Sequence, residues 1–188
     1  MFTDNRNRLF GMVVTALLIV FAGVSVAAPP NTTNSTGSKK QPLSLTDQVR
    51  HELVTLPYFG VFDNLGFTVE GSDTVVLSGQ VVRPMLKSEA ETVVRRIQGI
   101  SKVVNNIEVL PVSPFDNAIR LQTYRAIFSR TGFEKYATQA VSPIRIIVKN
   151  GDVTLEGVVG SKMDKILAEM AARSVFGVFS VTDNLTIG

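Results

Sequence analysis

Apolar positions along this chain alternate between two periods, and they do so twice in the same order. Val75, Leu77, Gly79 and Val81 alternate with Val76, Ser78 and Gln80, the period-two pattern of a half-buried strand. Behind Pro84, which suits a first helical position, Leu86, Ala90, Val93, Val94 and Ile97 recur at helical spacing until Gly99 ends the run. Lys102 to Leu110 reads as a closing strand. Upstream, Phe67 to Glu70 reads as a short strand and Gly71-Ser72-Asp73 as its turn. An earlier helix starts at Ser44-Leu45-Thr46-Asp47, a capping-box-like signal with Asp in place of Glu. It carries Val49, Leu53 and Leu56 on one face and stops at Pro57.

The second half follows the same plan. Ser113-Pro114-Phe115-Asp116 combines a cap, a helix-start proline and a first-turn acid, and the helix it opens runs to about Ser129. A longer connection leads to a strand over Ile144 to Val148, and Asn150-Gly151 is the strongest hairpin signal in the chain. Ser161 caps a helix whose Met163, Ile166, Leu167 and Met170 are expected to face inward. Gly177 and a strand over Val181 to Ile187 complete the unit. Val75-Val76-Leu77-Ser78-Gly79-Gln80-Val81 thus returns 78 residues later as Val153-Thr154-Leu155-Glu156-Gly157-Val158-Val159. The register holds through Met85 and Met163, Lys87 and Lys165, Arg95 and Arg173, and Asn106 and Asn184. One small domain has been duplicated. The fold class expected is α+β, two tandem α-β-β-α-β units, each a small three-stranded sheet covered by two helices. The units span residues 44–110 and 111–188, joined by about three residues around Pro111.

The N-terminus changes the compartment. Residues 1–27 read as an export signal: Arg6 and Arg8 precede an uncharged, mostly apolar run from Leu9 to Ala28. Ser25-Val26-Ala27 offers the small residues a signal peptidase needs, so cleavage after Ala27 gives a periplasmic protein. The alternative is an uncleaved inner-membrane anchor with periplasmic domains, since about 20 apolar residues can span a bilayer. Residues 28–43, rich in Asn, Thr, Ser and Gly, read as a flexible linker. The chain has no cysteine, which excludes both a disulfide staple and a lipidated N-terminus. Its formal charge is +3, and removing Asp4, Arg6 and Arg8 with the signal leaves +2. That surplus is too small to argue for nucleic acid.

The repeated strand from Val75 to Val81, its copy from Val153 to Val159, and the glycine-then-valine ends Gly99 to Val103 and Gly177 to Val181 resemble the BON domain, named for bacterial osmotic-shock and nodulation proteins. Two such units behind a signal peptide resemble the dual-BON periplasmic proteins. The resemblance covers roughly Ser44 to Gly188. It implies attachment to phospholipid surfaces or to other envelope components, in envelope maintenance or osmotic-stress protection. Some relatives with this double arrangement are lipoproteins, and this chain departs from them in having no lipidated cysteine.

Candidate chemistry is sparse. Gly79 and Gly157 lie at inward strand positions, where the missing side chain is expected to let a helix pack closely. His51 is the only histidine, and without cysteine or clustered carboxylates it assembles no metal site. No nucleophile elbow or acid–base pair occurs, so neither an enzyme nor a cofactor is expected. The repeats themselves give the sharper clue. Gln98 and Ser101 of the first correspond to Phe176 and Phe179 of the second. Two phenylalanines at positions that tolerate polar residues mark either an apolar patch or a packed seam. With Lys162 and Lys165 at the start of the same helix, they suit an anionic phospholipid surface. An interface with an envelope protein is the rival reading. A second aromatic group, Tyr58, Phe59 and Phe62, falls in a turn-rich loop and is expected to plug the first core or the seam between units. The oligomeric state is left open.

Overall fold

The computed structural model describes residues 43–188, so the export segment (1–27) and all but the last residue of the linker (28–43) lie outside the described residues. In the first repeat α1 (Leu45–Val54) begins where Ser44 Oγ accepts the Asp47 N–H at 3.1 Å, and it buries Val49 and Leu53. β1 (Asn64–Glu70) and β2 (Thr74–Val81) form an antiparallel hairpin around Gly71-Ser72-Asp73. α2 (Pro84–Arg95) then returns the chain, burying Leu86, Ala90 and Val94. β3 (Lys102–Asn105) and β4 (Glu108–Val109) both run parallel to β2. The closing strand expected over Lys102 to Leu110 is therefore interrupted at Asn106 and Ile107, where the Ile107 N–H turns to Asn105 Oδ1 at 3.2 Å.

The second repeat begins with α3 (Pro114–Phe128), capped by Ser113, and adds a short α4 (Glu134–Ala137) in the long connection. β5 (Ile144–Lys149) and β6 (Asp152–Val159) form its hairpin. α5 (Lys162–Arg173), capped by Ser161, delivers β7 (Ser180–Ile187) parallel to β6. Strand order is β1-β2-β3, with β4 also on β2, in one sheet and β5-β6-β7 in the other. The architecture is the α+β pair of units that the pattern implies. Each repeat has its own core, around Val75, Leu77 and Leu86 in the first and Ile144, Ile146 and Leu155 in the second.

Two local expectations are corrected. Gly79 and Gly157 do not make room for a helix. Both have positive φ, 114° and 120°, and a Cβ there would lie 2.0 Å from the carbonyl oxygen of Asn64 or Pro143 on the neighbouring strand segment. They are backbone kinks in the hairpin, at a φ that only glycine adopts without strain. On α5, Met163 and Met170 are 62% and 55% exposed and Ile166 is also exposed. The buried residues are Ala168, Ala171 and Ala172, with Leu167 partly covered. Small side chains let α5 sit close to its neighbours, and the larger residues fall on the outer face.

The units meet along the outer edge of β5. That edge would otherwise offer free backbone groups. Instead the Ile146 N–H donates to Val61 O at 2.9 Å, from the loop after α1. Phe59 packs on the first core, and Val61 and Phe62 pack on the second, so the loop does serve the cores and seam. Tyr58 does not; it stays exposed under the Arg83 guanidinium. Lys149 Nζ adds a cross-unit ion pair to Glu108 at 2.6 Å. The described residues together make one compact unit.

Candidate functional site

The turn after α5 builds the most exposed aromatic surface among the described residues. α5 ends at Arg173, and Val175 is buried beneath the turn while Phe176 projects at 91% exposure. Gly177, at φ 87°, reverses the chain, and Phe179 follows at 76% exposure. The Phe179 N–H donates to Gly151 O at 3.0 Å, which ties this turn to the β5–β6 hairpin. Phe115, from the first turn of α3, joins them, its ring centroid 6.2 Å from that of Phe179.

Glycines seat these rings. A Cβ at Gly151 would lie 2.6 Å from Phe179 Cδ2, and one at Gly177 would lie 3.1 Å from Phe115 Cζ. Each ring therefore rests flush on a backbone turn and leaves its other side to solvent. The hairpin beneath is held from behind. The buried Asp116 carboxylate accepts the N–H groups of Asn150 and Gly151 at 3.0 and 2.9 Å, in a two-residue turn with φ 54° and 84°. Phe115 escaped the sequence reading because a helix-start Pro-Phe-Asp run looks like capping; only the fold brings residue 115 beside residues 177 and 179.

The lysines separate. Lys162 is exposed at the N-terminal end of α5, twelve residues long, so roughly 18 Å of helix lies between it and the Phe176 turn. Lys165 is occupied, its Nζ donating to Leu185 O at 2.6 Å and lying 3.8 Å from Asp183 Oδ1. The structure thus brings Phe179 together with Phe115, with Phe176 projecting from the same turn, and leaves both lysines outside that cluster. The exposed Met163, Ile166 and Met170 run along α5 between the two ends.

Beside α5, Asp164 Oδ2 accepts hydrogen bonds from Lys135 Nζ at 2.8 Å and from Tyr136 Oη at 2.6 Å. The Lys135 bond, then the Tyr136 bond, hold the Asp164 carboxyl below its ordinary value, and the same contact raises Lys135. Tyr136 Oη also accepts the Gly160 N–H at 2.7 Å, so this network fastens α4 to α5. His51 is exposed on α1. Among the described residues no group of His, Asp and Glu side chains is placed to hold a metal ion, and no helix is long and apolar enough to cross a membrane.

Two solved structures of CdsD, a structural protein of the type III secretion system of Chlamydia trachomatis, are similar to the chain. The C-terminal domain structure is 11% identical with a TM-score of 0.29, covering 78% of this chain and 98% of that one. The second is 12% identical with a TM-score of 0.30, covering 78% and 93%. No curated protein matches the chain. The BON domain, by contrast, matches twice, over residues 44–111 and again over 130–188. This chain belongs to the BON domain family.

Proposed function

We propose that this protein attaches to phospholipid surfaces of the bacterial envelope through the aromatic turn of its second repeat. The observation that carries the reading is the exposure of Phe176 and Phe179 on a turn whose first-repeat counterpart is polar. Solvent-facing aromatics clustered at one tip favour shallow insertion at the level of lipid headgroups. Phe115 widens the inserted surface, and Met170 and Met163 extend an apolar strip along α5. Lys162 is the free cation of the proposed site, and Lys165 contributes by holding α5 to β7. With the cation remote from the rings, apolar insertion dominates and salt weakens binding only modestly. Cleavage after Ala27 would leave the domains of residues 44–110 and 111–188 in the periplasm. Envelope maintenance or osmotic-stress protection is the role that fits.

The test is flotation of residues 28–188 with vesicles containing phosphatidylglycerol. Wild type is expected to float and a Phe176→Ser, Phe179→Ser double variant to stay behind, with unchanged melting because both rings are exposed. Equal flotation of the two removes these residues from the reading. If wild type ignores vesicles but captures an envelope protein in a manner that needs both rings, the turn is a protein interface instead.

A further inference from the structure

A separate site lies in the seam between the repeats. Arg145 occupies β5, in a run that is otherwise Ile144, Ile146, Ile147 and Val148, and only 9% of it is exposed. Its Nη1 donates to Gly60 O at 2.8 Å, and its guanidinium stacks 4.4 Å from the Phe59 ring centroid. It takes part in none of the ion pairs among the described residues. Burial lowers its pKa from the ordinary arginine value, with Asp63 opposing, and an arginine so placed remains a cation. The buried Asp63 carboxylate offsets part of that charge, but it accepts the N–H groups of Gly60 and Val82 and forms no ion pair with the guanidinium, so an anion in direct contact would complete it.

Space for that anion is present. Arg145 lines a cleft of about 320 Å³ whose other walls include Phe62, Leu121, Tyr124, Phe128 and Val141. That volume is at the lower end of the range for small-molecule sites. Leu121 and Val141, both partly exposed, lie in its lining. The guanidinium therefore borders aliphatic and aromatic surface, the arrangement that recognises a carboxylate carrying a hydrocarbon chain.

We infer that the cleft between the repeats binds a medium-chain fatty-acid carboxylate, its headgroup on Arg145 and its chain along Phe62, Leu121 and Tyr124. The site is distinct from the aromatic turn and stands or falls independently of attachment to a bilayer. The probe is decanoate, titrated calorimetrically below its micelle threshold into residues 28–188, with decanol as the uncharged control. Saturable binding of one decanoate per chain is expected, at least tenfold tighter than decanol. Arg145→Gln should weaken decanoate at least tenfold and leave decanol unchanged. Because that variant also releases Gly60, a Leu121→Trp variant fills the cleft from its exposed side and should abolish binding of both. No saturable decanoate binding, equal affinity for decanol, or undiminished binding by Leu121→Trp each overturns the site. The Phe176→Ser, Phe179→Ser variant should bind decanoate as wild type does; loss there would show that the exposed turn, not the cleft, takes the ligand and would likewise overturn it.

Discussion

The two repeats share a backbone and differ in what one turn presents. Gly99 and Gly177 occupy the same position with φ 92° and 87°, so the chain reverses alike after α2 and after α5. Around the first lie Gln98 and Ser101, both exposed and polar; around the second lie Phe176 and Phe179, both exposed and aromatic. A Cβ at Gly71 or Gly99 would meet nothing within 4 Å, whereas at Gly151 or Gly177 it would meet a phenylalanine ring. Duplication has kept the frame and altered the side chains that face solvent at its tip. Solvent exposure in both copies means that neither version is needed for folding. The difference is therefore where a function specific to the second repeat is to be sought.

The largest expected effects test the shared half of that comparison. Ala at Gly79 or Gly157 combines a φ that L-residues avoid with a clash against a backbone oxygen. Each substitution should lower stability by about 3 kcal/mol or more in urea denaturation. A loss below about 1 kcal/mol at either site would mean that the two hairpins are not equivalent.

A smaller effect should separate the repeats. Both first helices open with a serine cap and an aspartate three residues on, yet Asp47 is exposed and pairs loosely with Arg50 at 3.7 Å. Asp116 is buried, holds two backbone N–H groups of the Asn150-Gly151 turn, and lies beside the buried Arg120, whose pKa is lowered by burial with Asp116 opposing. Asp116→Ala should destabilise by about 2 kcal/mol, since it strands buried donors. Asp47→Ala should remain within about 0.5 kcal/mol. Similar losses at both would erase the distinction between a surface cap and a turn anchor.

Much of the frame was legible because it rests on local signals. Caps at Ser44, Ser113 and Ser161, the Asn150-Gly151 turn, and period-two alternation in β2 and β6 each state their structure within a few residues. The errors came where long-range packing decides. Nothing local distinguishes the Met163, Ile166, Met170 stripe from the Ala168, Ala171, Ala172 stripe, and size alone favours the wrong one. At Gly79 the period placed the residue on a strand, but its reason is a carbonyl from another strand segment. At the site, exposure of Phe176 and Phe179 was one of two readings the sequence left open. The separation of Lys162 from the rings follows from the length of the helix between them, whereas the engagement of Lys165 and the arrival of Phe115 depend on three-dimensional adjacency. Arg145 could have been noticed as a lone charge in an Ile-rich strand, yet its cleft requires the loop over residues 59–62 to close on it.

The finest distinction between the repeats is one of pH. Position 86 holds a core leucine in the first repeat, and its counterpart 78 residues on is Asp164, tied to Lys135 and Tyr136. Those hydrogen bonds hold the folded Asp164 carboxyl below its ordinary value of 3.8, so the unfolded chain takes up the proton more readily. Asp164 therefore contributes stability that is complete above that ordinary value and fades as pH falls through the lower folded one. Asp164→Asn should cost less than Asp116→Ala at pH 7, because Lys135 is exposed and an exposed pair contributes little. Urea denaturation of Asp164→Asn and wild type should differ at pH 7 and converge only once pH falls below the lower folded value, while the effect of Leu86→Ala, being apolar, should persist. A gap between Asp164→Asn and wild type that stays constant down to strongly acidic pH would mean that Asp164 acts by shape rather than charge. The second repeat would then have replaced one packing residue by another, without adding a titrating contact to the inherited frame.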